Sequence, residues 1–63
     1  MRVNIENLED YAKKEPFIVA RYSPETKKLW FWGAWRDRKD AERVVQELEN
    51  GVLVENDEIN NLQ

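Results

Sequence analysis

Three tryptophans, Trp30, Trp32 and Trp35, stand within six positions of a 63-residue chain that contains no cysteine and no histidine. Without Cys or His there is no thiol nucleophile, no Ser-His or Cys-His pair and no ordinary transition-metal ligand set. The only serine, Ser23, falls in a turn sequence with no base to activate it. The carboxylate pairs Asp37/Asp40 and Glu55/Asp57 read as capping and solvated groups, since nothing in the sequence builds a cleft around them. Gly33 and Gly51, the only glycines, make no phosphate-cradling loop, and residues 56–60 lack the central glycine of a calcium loop. An enzyme, a cofactor and a metal are therefore not expected. The chemistry left is recognition. Trp, Tyr and Arg anchor interfaces, and Arg21, Tyr22, Lys28, Trp30 and Trp32 lie close together on one predicted hairpin. Trp30 and Trp32 are the expected anchors, with Arg21, Tyr22 and Lys28 orienting a protein partner.

Charge offers the competing chemistry. Residues 21–43 hold seven basic side chains against four acidic ones, whereas residues 44–63 hold five acidic and no basic ones. The basic stretch, interleaved with Tyr22, Trp30, Phe31, Trp32 and Trp35, suits a nucleic acid: cations track phosphates and rings stack on bases. Arg36, Arg38, Lys39 and Arg43 are the candidates for that alternative. The isoelectric point near 4.9 runs against it. The acidic end also has the charge of a phosphate mimic that inhibits a nucleic-acid-binding enzyme. Charge along the predicted main helix, basic first and acidic last, opposes the helix dipole except at Asp37 and Asp40.

These residues need a scaffold. Ile5, Leu8 and Ala12, with Tyr11 beside them, form a helical stripe that predicts a helix over about 4–14, with Asn4 as its cap and Pro16 as its end. The run from Phe17 to Tyr22 has the β-branched and aromatic content of a strand. Ser23-Pro24-Glu25-Thr26 has type I turn chemistry, and Leu29 to Trp35 forms the return strand. With that four-residue loop, Ile18 faces Phe31 and Ala20 faces Leu29. Strict alternation would set Leu29, Phe31, Gly33 and Trp35 on one face and Trp30, Trp32 and Ala34 on the other. Ala41, Val44, Val45 and Leu48 predict a helix over about 38–49 with Asp37 and Asp40 as a capping box and Asn50-Gly51 as a left-handed stop. Residues 52–55 make a third strand, and 56–63 read as an acidic polar tail.

The expected fold is a single small α+β domain over 1–55, in the order α-β-β-α-β. Its three-stranded antiparallel sheet carries the second helix on one face, with the third strand returning beside the first in preference to a parallel pairing beside the second. Both sides of the aromatic strand are apolar, so the second face needs a cover. The N-terminal helix, a second copy in a homodimer, or a heterologous partner are the three candidates. A domain this small buries only about 60% of its unfolded surface. Mean hydropathy of −0.86 and the lack of a long apolar run predict no membrane segment. The charged start after Met1 predicts no signal peptide, and a cytoplasmic location is expected.

Three resemblances follow from these motifs. Trp32-Gly33-Ala34-Trp35 through Ala41 to Leu48 and Val52-Leu53-Val54 resembles the strand–turn–helix–strand unit of a SPOR domain. That family carries two such units and binds peptidoglycan outside the cytoplasm; this chain has one, so only the local fold is implied. The hairpin with Lys27-Lys28, followed by Lys39-Asp40-Ala41-Glu42, is similar to the arm-type DNA-binding domain of tyrosine recombinases, which places three strands before its helix where two stand here. The stretch 17–55 resembles small uncharacterised phage- and prophage-type proteins with a strand–strand–WFWGAW–helix centre. This last resemblance implies a modulator or inhibitor that binds a host protein. The leading expectation is thus a non-enzymatic protein-binding module using an aromatic hairpin, with nucleic-acid binding second and a structural homodimer third.

Overall fold

In a computed structural model, which describes residues 3–60, the hairpin is the centre of a four-stranded mixed sheet. The strands are β1 (Ile5–Glu6), β2 (Phe17–Ser23), β3 (Lys28–Trp35) and β4 (Gly51–Glu55), and α1 (Arg38–Glu47) is the one α-helix among the described residues. Their order is β1-β3-β2-β4, with β1 parallel to β3 and the other two pairings antiparallel. The last strand returns beside the first strand of the hairpin, as expected. The fold is a small compact α+β domain, but the sheet has a fourth strand and is not purely antiparallel.

That fourth strand replaces the N-terminal helix. Ile5 and Glu6 pair with Leu29 and Trp30, and Asn7, at φ 60°, turns the chain away. Asn tolerates this left-handed geometry better than most residues. A single 3-10 turn at Asp10–Lys14 follows. The stripe was legible, yet its backbone was not. Ile5 and Ala12 are fully buried and Leu8 packs against the same cluster, so the residues that predict a helix face still point inward. A helix of that length is marginal alone, whereas a strand at this edge satisfies backbone groups of β3. Asn4 caps nothing; its Oδ1 accepts a hydrogen bond from Asn60 Nδ2 at 3.1 Å.

The sheet separates two apolar layers. On one side Ile5, Ala12, Ile18, Ala20, Val54 and Ile59 form the buried cluster, with Leu29 and Phe31 packed against it. Tyr11 meets the Phe31 ring edge-on at 5.8 Å between centroids. Residues 56–60 are part of this layer and not a tail. Asn56 Nδ2 donates to the carbonyls of Lys13 and Glu15 at 3.0 and 2.9 Å. Ile59 is 1% exposed and bridges Val3 in parallel, tying the segment after β4 to the one before β1. A stretch rich in Asn, Asp and Glu hides this because one apolar residue does the packing. Residues 61–63 of the expected tail lie outside the described residues.

On the other side lies α1, against β2, β3 and β4, with Ala41 fully buried and Val44, Val45 and Leu48 half-buried. Asp37 occupies the cap position, but its side chain makes no cap hydrogen bond. The helix ends at Glu47, two residues before the expected limit. The left-handed residue beyond it is Asn50, at φ 61°, and not Gly51. Gly51 serves a different need: a Cβ there would come within 2.7 Å of the Val45 carbonyl oxygen.

Candidate binding site at the open end of the sheet

The hairpin turn fixes which aromatics share a face. Ser23 pairs with Lys28, so the loop is Pro24 to Lys27; Lys27 sits at φ 60° and donates its N–H to the Ser23 carbonyl at 2.7 Å. The loop has the expected length but begins one residue later. Ala20 therefore faces Phe31 where Leu29 was expected, a shift of two that leaves the faces unchanged.

A bulge then changes them. Val19 pairs with Gly33 while Ala20 pairs with Phe31, so Trp32 is the extra residue of β3. Beyond the bulge the alternation is reversed. Gly33 and Trp35 join Trp30 on the α1 side, and Ala34 joins Phe31 on the core side, contrary to strict alternation. One face thereby receives Phe17, Val19 and Arg21 from β2 opposite Trp35, Gly33 and Trp30 from β3.

The helix covers only part of that face. Ten residues of α1 span about 15 Å, against about 23 Å for the seven of β2. At the covered end, Trp35 lies across Gly33, where any Cβ would come within 2.6 Å of its ring. Arg38 sits 5.9 Å over the Phe17 ring and reaches Glu42 and Glu55 at 3.2 and 3.9 Å. At the other end, past the last turn of α1, a recess of about 600 Å³ opens, lined among others by Arg21, Tyr22, Trp30, Trp32, Glu25 and Glu49. Trp30 is 39% exposed and Trp32 50%. The Arg21 guanidinium stands 5.7 Å over the Trp32 ring, and the Tyr22 N–H is held by the Asn50 carbonyl at 2.9 Å.

Four of the five expected site residues, Arg21, Tyr22, Trp30 and Trp32, thus line one recess. Lys28 does not: it lies beside β1, with its Nζ 3.5 Å from a Glu6 carboxylate oxygen. Glu25 and Glu49 are lining residues that the hairpin-centred reading missed. For Glu49 the signal was the acidic end of the helix expected over 38–49, which opposes the helix dipole; Glu25, in the hairpin loop, gave none. The basic alternative is scattered. Arg36 pairs with Glu15 at 3.7 Å and Arg38 with Glu42 and Glu55 at the covered end. Lys39 and Arg43 are exposed on α1. These cations stand apart from the exposed tryptophans and form no continuous track with them.

Among the described residues, no helix is long and apolar enough to cross a membrane. Comparison of the chain with protein-family models, curated proteins and solved structures finds no match in any of the three.

Proposed function

We propose that this domain is a non-enzymatic protein-binding module whose contact surface is the open end of the α1-side face. The observation that carries this reading is the pair Trp30 and Trp32, exposed side by side in a concave recess while Trp35 is folded onto Gly33. Neither ring belongs to the buried core, so both are left free for a partner. Large rigid aromatics at the centre of a concave surface contribute most of the binding energy in protein interfaces. Arg21, fixed over Trp32, and Tyr22 at the rim orient the partner.

Chemical cross-linking followed by pull-down, with the wild-type chain and the Trp30→Ala/Trp32→Ala variant side by side, tests this. The variant keeps its far-ultraviolet circular dichroism and loses the captured partner. Capture that survives both substitutions would remove the proposal. A parallel titration with single- and double-stranded DNA and RNA examines the alternative. Saturable quenching that weakens steeply with salt would instead mark phosphate recognition.

A further inference from the structure

We propose that the recess takes an arginine side chain presented by the partner protein. This rests on the reading of the open end as a protein-binding surface and names the chemistry recognised there. The recess carries two carboxylates, Glu25 and Glu49, and one cation, Arg21. Among the described residues neither carboxylate is in an ion pair, so both are open to a partner's cation. Arg21 is occupied with the Trp32 ring at 5.7 Å. That contact shows what the site offers: a guanidinium over an indole, in a recess that also holds two carboxylates. Trp30, 39% exposed, provides further ring surface in the same recess.

The surrounding sequence adds to this potential. The recess opens beyond the last turn of α1, which has no basic residue. Between Val44 and Asn60 no Lys or Arg occurs at all. A cation entering the recess therefore meets two carboxylates and exposed rings. Arginine fits better than lysine, because its planar group stacks on an indole while donating two parallel hydrogen bonds to a carboxylate. The charge pattern that works against α1 as an isolated helix acquires a purpose in this place.

The test uses the full chain, isotope-labelled, with its three indole N–H signals assigned by single Trp→Phe substitutions. The probes are a capped Leu-Arg-Leu tripeptide and its citrulline counterpart, in which an uncharged urea of the same shape replaces the guanidinium. The arginine peptide shifts the Trp30 and Trp32 signals saturably and leaves Trp35 in place. Citrulline weakens binding roughly tenfold, and the Glu25→Gln/Glu49→Gln variant does the same. The Asp57→Asn/Glu58→Gln variant, altered at an acidic cluster elsewhere, binds as the wild type. Equal affinity for both peptides, equal loss in the two acidic variants, or no shift at all would each overturn the arginine assignment. None of these touches the binding module itself, which stands or falls on whether partner capture is lost with Trp30 and Trp32.

Discussion

The two ends of the α1-side face are made from similar residues and end in opposite states. At one end Phe17 lies beneath Arg38 at the start of α1, and Trp35, paired with Phe17, has a bare glycine backbone to lie on. At the other, Arg21, Trp30 and Trp32 extend past the last turn of the helix and border open solvent. One strand supplies all three tryptophans, so neither composition nor strand propensity separates them. Two geometric facts do: the extra residue at Trp32, which brings Trp35 to the helix side, and a helix too short to reach the far end. An aromatic run can thus hold a ring seated on the sheet and two exposed rings only a few positions apart.

The contrast can be broken from the structural side first. Ile59→Ala empties a fully packed site that joins the segment after β4 to the one before β1. It should cost about 2–5 kcal/mol, a large share of the roughly 5–15 kcal/mol that holds a domain together. Urea denaturation measures this, and a shift under about 0.5 kcal/mol, the level of an ordinary surface substitution, would return residues 56–60 to the status of a tail. Gly33→Ala comes next. Its methyl group would collide with the Trp35 ring, which must lift from the sheet, at about 1–3 kcal/mol. The Trp emission should move to the red as the ring is exposed, and an unchanged spectrum would mean that Trp35 is not seated on Gly33.

Much of this was written in the local sequence. The hairpin and α1 follow from alternation, a helical stripe and the Ser-Pro turn, whereas the return of β4 beside β2 was one of two placements the sequence allowed. Four of the five expected site residues line one recess because Trp, Tyr and Arg cluster around a single turn. What escaped depends on contacts between distant residues. Ile5 and Leu8 fit a helix stripe equally well, and only the open edge of β3 makes Ile5 a strand residue. The bulge at Trp32 has no signature in β3 alone. Ile59 is one apolar residue among acids and amides, and its burial follows from Val3, which is 56 positions away. Glu25 and Glu49 read as solvated charge until the end of α1 brings them to the same recess.

The smallest structural effect carries the central claim. Urea denaturation of the Trp30→Ala/Trp32→Ala variant, set against Trp35→Ala, separates surface from core in one experiment. The double variant should lose no more than about 2 kcal/mol, while the single substitution at Trp35 should cost about 3 kcal/mol or more. If removing Trp30 and Trp32 unfolds the chain, or costs as much as removing Trp35, those rings hold the domain together and the open end is not a contact surface.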